Sequence, residues 1–512
     1  MIVEDQAAPT ALLTNAAFHG IHGRVDVIET HISRIFLAGE RAWKMKRAVK
    51  LPYVDFSTPE LRLAACIKEV ELNAKTAPDL YIGCHRITWE GDGRLALDGP
   101  GRLADAVVEM RRFEQSSLLD RMALAGKLTP ALMGETAHIV ARFHHNAPIV
   151  HGRGGTDTMA GVLGINEAGF AVSHLFGEAE TVGFNKAFHA ALTRHSALLD
   201  RRTTEGKVRR CHGDLHLRNI CLIDGTPRLF DCIEFSEEIA TVDVLYDLAF
   251  LLMDLWHRGF AASANLVMNR YLDETGDDGG FSLLPFFMAV RAAVRAHVTA
   301  TFFKEGGTAA GLVDEARSYF HLALALLQEP PPRLVAIAGL SGSGKTSVAE
   351  KLAPHLGAPP GARIVESDRI RKALHGVPAE TRLSGDAYRS EVSQRVYREM
   401  ARRTGLILRQ GGSVAADAVF ERPTDRAAIE AEARSLGLPF LGLWLDADPM
   451  RLRQRIETRR GGPSDATVDV LEHQLQRHVD YPDWTRIDAG RDLETIVADI
   501  RSHLEPTGHR RC

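Results

Sequence analysis

In the segment CHGDLHLRNI, Cys211 to Ile220, an aspartate and an asparagine stand five residues apart, and Asp231 in RLFDCIEF follows twelve residues after the asparagine. Asp214 is suited to accept the proton of an attacking hydroxyl, Asn219 to hold Mg²⁺, and Asp231 to bridge metal and phosphates. A polar turn capped by Asp and Asn is the plainer use of such residues. That use does not call for Asp231 at its interval. His212 and His216 are then loop scaffolding rather than metal ligands.

A second constellation lies more than a hundred residues on, in GLSGSGKTS. Gly339, Leu340, Ser341, Gly342, Ser343, Gly344, Lys345, Thr346 and Ser347 fit the phosphate-binding loop pattern. An apolar strand pattern precedes them and a helical pattern follows. Glycines let the backbone fold tightly so that its N–H groups face phosphate oxygens, and the helix N-terminus adds its positive dipole. Lys345 would reach the β- and γ-phosphates and the Thr346 hydroxyl would bind Mg²⁺. Asp368, after the run ARIVES, stands where the acceptor hydroxyl would be oriented or deprotonated, with ordinary helix capping as the alternative. Asp417, ending the run SVAAD, is placed to act on the metal through water. Arg451, Arg453, Arg455, Arg459 and Arg460 precede a Gly-Gly-Pro break, a pattern that suits either a closing lid, with Arg455 and Arg459 on the triphosphate, or a solvated basic helix.

These residues need elements to hold them. RIFLAGERAWKMK reads as two strands turning at Gly39 and Glu40, and TPELRLAACIKEVELNAKTA as a helix. The strand carries Lys44 and Lys46, two apart and so on one face, and the helix carries Glu69 and Glu71. From residue 114 the pattern is mainly helical, apart from strands at RNICLID and PRLFDCIEF. In VDVLYDLAFLL, Asp243 and Asp247 lie one turn apart; Asp247 reads as structural, and Asp243 as structural in preference to substrate-binding. The expectation is a bilobal α+β domain over 1–328, a stiff linker over 329–332 containing Pro330 to Pro332, and an α/β P-loop domain with a parallel sheet over 333–512.

With 45% hydrophobic and 25% charged residues among 512, the chain has material for two or three cores, and disorder is excluded as its main state. Residues 333–512 hold 28 Lys+Arg against 25 Asp+Glu, which leaves 34 against 41 for the rest. Neither balance suits nucleic acid or an anionic membrane. Six cysteines without a CxxC pair write neither a disulfide framework nor a zinc ribbon. A gathering of Cys84, His85, His144, His145, Cys211 and His212 about a metal finds no support in ligand spacing. The start MIVEDQAAPTALL has no targeting pattern, and a soluble, cytoplasmic protein is expected.

HGDLHLRN resembles the Brenner-type motif of aminoglycoside phosphotransferases and their choline kinase-like relatives, with glycine where protein kinases carry arginine. LFDCIEF occupies the DFG place without its phenylalanine and glycine, so a DFG switch does not carry over. The resemblance implies a strand lysine for the α/β-phosphates and a helix glutamate that holds it, Lys44 or Lys46 with Glu69 or Glu71, Lys44 with Glu69 being preferred. It also implies that VVEMRRF, 107–113, is the hinge that meets adenine and, with no GxGxxG loop before the lysine, that phosphate contacts come from about THISRIF. The P-loop half resembles small-molecule kinases of the gluconate kinase, zeta-toxin and adenylate kinase type. The whole order resembles a bacterial family described as bifunctional aminoglycoside phosphotransferase/ATP-binding proteins. The resemblance implies ATP and Mg²⁺ in both halves and γ-phosphoryl transfer to hydroxyls of small molecules. Two alternatives stay open: one half as a regulatory ATP-binding module, or a nucleotide-sugar as the P-loop acceptor.

Overall fold

The computed structural model describes residues 4–51, 54–152, 154–173, 175–304, 311–459, 461–477 and 483–504. They pack into two compact units: Met1–Thr158 with Leu199–Asp254, and Met159–Leu198 with Leu255–Cys512.

The first unit is built on a six-stranded antiparallel sheet whose central strands are Ser33–Ala38, Arg41–Lys46, Arg102–Arg111 and Tyr81–Trp89. Period-two alternation sorts the Arg41–Lys46 strand. Trp43 and Met45 enter a core with Phe36, Ile87 and Val107 on one face. Ala42 packs on the other with Cys66 and Val108, the side on which Lys44 and Lys46 must also project. Helix Pro59–Asn73 starts where Thr58 accepts the Leu61 N–H at 3.3 Å and proline occupies the first turn, a position that needs no N–H donor. Its buried side combines Ala65 and Cys66 with polar Arg62, Glu69 and Asn73. A face that buries charge must bring partners, and Arg62 pairs with Asp105 at 2.8 Å. The hairpin Ile220–Ile223 and Thr226–Leu229 and helix Val244–His257 complete the surroundings of the catalytic-type loop.

The second unit carries a five-stranded sheet, all of whose pairs are parallel, in the order Arg363–Glu366, Val414–Asp417, Leu334–Gly339, Phe440–Asp446, Thr485–Asp488. Val335, Ile337, Leu443 and Leu445 meet helices Lys345–Leu352 and Leu493–Leu504 in the core. Four of these strands are apolar runs of the sequence, in RLVAIAGL, ARIVES, GGSVAADAVF and PFLGLWLDA. The fifth, Thr485–Asp488, buries only Ile487 and so lacks an apolar run. Among the described residues one helix segment, Leu283–Phe302, is long and apolar enough to cross a membrane, but 72% of its window is buried inside the fold.

Candidate functional site

In the first unit, Lys44 Nζ lies 2.7 Å from Glu69 Oε1 and also meets Asp231 Oδ1. Lys46 Nζ is 2.6 Å from the other oxygen of Glu69 and bonds Glu234. Glu69 is therefore clasped by both lysines, whereas Glu71 is exposed. Of the two lysines, Lys44 is the one that meets Asp231, and Lys46 is 1% exposed. Burial works against a charged Lys44, but Asp231, Glu69 and Glu234 outweigh it and raise its affinity for the proton. Burial likewise opposes the Glu69 carboxylate, and the two lysines overcome it, holding it at about 2. Glu234 escaped the sequence reading; its only trace is its place three residues after Asp231.

Asp214 and Asn219 are brought together: Asn219 Nδ2 donates to Asp214 Oδ2 at 2.8 Å and to the Asp214 carbonyl at 3.0 Å. Asp231 holds a positive φ of 63°, a conformation that costs energy outside glycine and recurs at functional sites. It is held there by Tyr81, whose hydroxyl accepts the Asp231 N–H at 3.2 Å, and by Asn73, which accepts the Cys232 N–H at 2.9 Å. His212 is scaffolding. Burial first of all lowers its proton affinity, its Nε2 meets the Phe230 carbonyl at 3.0 Å, and its Nδ1 accepts the Asp214 N–H at 3.3 Å. His144, Cys211 and Asp247 do gather within 4.8 Å. The Asp247 oxygens are already taken by the N–H groups of His212 and Gly213 and by His144 at 3.0 Å, so the cluster serves the loop. Asp243 is clamped by Arg202 Nε at 2.6 Å and Nη2 at 2.9 Å, a structural pair.

In the second unit the loop from Gly339 to Gly344 runs from the central strand into helix Lys345–Leu352. A Cβ at Gly339 would lie 2.6 Å from the Leu445 carbonyl oxygen, so this tight path admits glycine alone. Ser343 Oγ is buried with no hydrogen-bond partner. Thr346 Oγ1 donates to Asp417 Oδ2 at 2.7 Å, and Lys345 Nζ to the Leu340 carbonyl at 3.1 Å. An unsatisfied hydroxyl, a glycine cradle and a hydroxyl–carboxylate pair suit a triphosphate with Mg²⁺. Burial above all pushes Asp417 up to about 6, against Lys345 and Thr346, and Glu366 up to about 8, where the Asp417 and Asp368 carboxylates add to the rise. Glu366, absent from the sequence reading, stands in register beside Asp417 on the neighbouring strand. Asp368 lies in the first turn of helix Ser367–Leu374, whose cap position belongs to Glu366. Burial raises the Asp368 carboxyl, against a hydrogen bond from Ser464.

Lys345, Thr346, Asp368, Asp417, Arg455 and Arg459 all line one cavity of about 1180 Å³. Arg455 donates to the carbonyls of Ser343 at 3.4 Å and Ala489 at 2.8 Å, and Arg459 to that of Ala466 at 2.7 Å. Arg451 and Arg453 turn elsewhere, to Gly490 and to Glu472. Arg460 lies outside the described residues.

Residues 100–281 match the phosphotransferase enzyme family and residues 334–480 an AAA domain family. The uncharacterized protein Rv2004c of Mycobacterium tuberculosis is 30% identical over 487 residues, covering 92% of this chain and 94% of its own, and the uncharacterized protein Mb2027c of Mycobacterium bovis matches to the same extent. The chain belongs to their family. This chain joins a phosphotransferase domain to a P-loop kinase domain. Among solved structures, a choline/ethanolamine kinase family protein from Mesorhizobium loti is 15% identical, covering 63% of this chain and 94% of its own, with a TM-score of 0.42. A gluconokinase from Sinorhizobium meliloti is 21% identical, covering 35% of this chain and 98% of its own, with a TM-score of 0.23.

Proposed function

We propose that this family member is a double phosphotransferase, each domain binding Mg-ATP and passing the γ-phosphoryl group to a hydroxyl of a small molecule. The observation that carries this is the presence of a complete lysine–carboxylate set in each unit: Lys44, Glu69, Asp214, Asn219 and Asp231 in one, Lys345, Thr346, Asp368 and Asp417 in the other. Phosphoryl transfer is mostly positioning and charge stabilisation, and these residues supply both. Mg²⁺, when bound, neutralises charge on the phosphate oxygens.

In the first unit Asp214 takes the proton of the acceptor hydroxyl, Asn219 and Asp231 hold the metal, and Lys44 exchanges its Asp231 contact for phosphate oxygens. In the second, Lys345 and the loop N–H groups hold the phosphates, Thr346 and Asp417 the metal, and Arg455 and Arg459 the triphosphate. Asp368 orients or deprotonates the acceptor there. Neither acceptor is nucleic acid or membrane lipid on this reading, and the protein works in the cytoplasm.

The test is incubation of the full chain, Asp214→Asn and Lys345→Ala with ATP and a metabolite extract, with mass spectrometry for phosphorylated products. One set of products should vanish with each variant. If neither variant loses a product, the assignment fails; if only one does, the other domain is a nucleotide sensor.

A further inference from the structure

Strand Arg363–Glu366 is the edge of the parallel sheet, paired on one side only with Val414–Asp417. A bare edge leaves N–H and C=O groups unsatisfied. Here helix Ala261–Thr275 covers it. By sequence that helix falls within the phosphotransferase match, which runs to residue 281, yet it packs in the same unit as the P-loop sheet.

Asn265, Asn269 and Asp273 recur every four residues and so share one helix face. Asn265 Nδ2 donates to the Pro360 and Ala362 carbonyls at 3.0 Å each, and the Ile364 N–H donates to Asn269 Oδ1 at 2.7 Å. Asp273 Oδ1 receives Arg363 Nη2 at 2.7 Å, and Asp278 receives its Nε at 2.8 Å. Arg363 is 1% exposed, so its charge depends on these carboxylates. Asn269 thus meets an outward N–H of the edge strand, and Asn265 holds the carbonyls of the chain that leads into it.

The same face reaches the nucleotide site. Asp273 Oδ2 is 3.5 Å from Arg369 Nε, which lies 3.1 Å from Glu366 Oε2. Glu366 sits in register with Asp417, the partner of Thr346. Arg270, one turn back on the helix, bonds Glu350 of the P-loop helix at 2.5 Å.

We infer that helix Ala261–Thr275 is a working part of the P-loop nucleotide site, in which Asp273 is a positioning residue that fixes Glu366 beside Asp417 through Arg369. The inference rests on the reading of that site as a Mg-nucleotide site. It moves the functional boundary of the P-loop kinase upstream of the prolines, into the stretch matched to the other family.

The experiment uses the full chain carrying Lys44→Met, so that only the P-loop site reports, and calorimetric titration with ATP in Mg²⁺ and in chelator. Asp273→Asn should cut the gain in ATP affinity conferred by Mg²⁺ at least fivefold while the metal-free affinity stays within twofold, and Asp273→Glu should restore part of it. A gain unchanged within twofold in folded protein overturns the inference. So does an equal fall in both affinities, which is what mere loosening of the edge would give. Should Asp273→Asn not fold, Arg369→Gln leaves the Arg363 pairs in place and must show the same selective loss, or the inference is wrong. ATP binding that survives Lys345→Ala in this background instead defeats the reading of the site itself.

Discussion

The carboxylate of Asp247 accepts the backbone N–H of Gly213 at 2.8 Å through one oxygen and that of His212 at 3.1 Å through the other. Seven residues on, two turns along the same helix face, Asp254 accepts the Leu217 N–H at 3.1 Å. The loop that presents Asp214 and Asn219 is therefore hung from two acidic residues of helix Val244–His257. Buried carboxylates are costly unless they meet donors, and here the donors are the loop's own backbone.

Asp247→Ala removes an acceptor from two enclosed N–H groups and from His144. The expected loss is about 3 kcal/mol of stability, since each buried donor left unmatched costs ~1–3 kcal/mol. Transfer by the first unit should fall further than unfolding alone explains, because Gly213, at φ 85°, is fixed by this bond just before Asp214. Denaturant unfolding together with turnover well below the midpoint separates the two effects. A variant with wild-type turnover would show that the loop holds its shape unaided.

Lys44 and Lys46 should fail in different ways. Lys46→Met leaves Glu69 and Glu234 enclosed with one cation fewer, and breaking a buried pair in this manner costs about 3–5 kcal/mol. Lys44→Met leaves Glu69 still paired with Lys46 at 2.6 Å, so its stability cost is the smaller while ATP affinity at that site is lost. Urea denaturation and nucleotide titration of the two variants check the split. Equal ATP affinities would remove Lys44 from the nucleotide site.

Much of this was legible in the chain because it is local. Alternation put Lys44 and Lys46 on one face, helical spacing offered Glu69 to them, and the intervals among Asp214, Asn219 and Asp231 need no tertiary knowledge. What escaped depends on which elements become neighbours. Glu366 joins Asp417 only because their two strands are adjacent in the sheet, an order that the alternation of strand and helix does not state. Glu234 is recruited by the length of Lys46, and the donors that satisfy Asp247 lie 34 and 35 residues away. Helix Ala261–Thr275 is the clearest case: its asparagines look like ordinary solvent-facing side chains until an edge strand is laid against them.

His297 gives the second unit an acid-sensitive point. Its Nε2 is shut away with no hydrogen-bond partner beside Phe170, and burial lowers its pKa to about 4. In the unfolded chain the ring takes its proton near pH 6.5, so between that value and pH 4 the unfolded state binds a proton that the folded state refuses. Stability then falls as pH falls through that window, by about 2 kcal/mol at pH 5. His297→Phe should remove this part of the acid limb, read from denaturant midpoints at pH 7 and pH 5. An unchanged difference between the two pH values would place the acid sensitivity elsewhere.

Two glycines of the phosphate loop separate conformational strain from collision. Gly344 has φ 90° and a Cβ there would find only an Arg455 nitrogen at 3.8 Å, so Gly344→Ala carries the left-handed penalty of about 1–2 kcal/mol and little else. Gly342 has φ 82° and its Cβ would stand 2.6 Å from the Leu452 carbonyl oxygen. That oxygen belongs to helix Pro449–Thr458, which carries Arg455, so Gly342→Ala must displace either the loop or the arginine helix. ATP affinity at the P-loop site should fall at least about tenfold more for Gly342→Ala than for Gly344→Ala, a further 1.4 kcal/mol. Nucleotide titration of both variants in the Lys44→Met chain measures the difference. Equal losses would mean that the helix bearing Arg455 yields freely and takes no part in shaping the phosphate cradle.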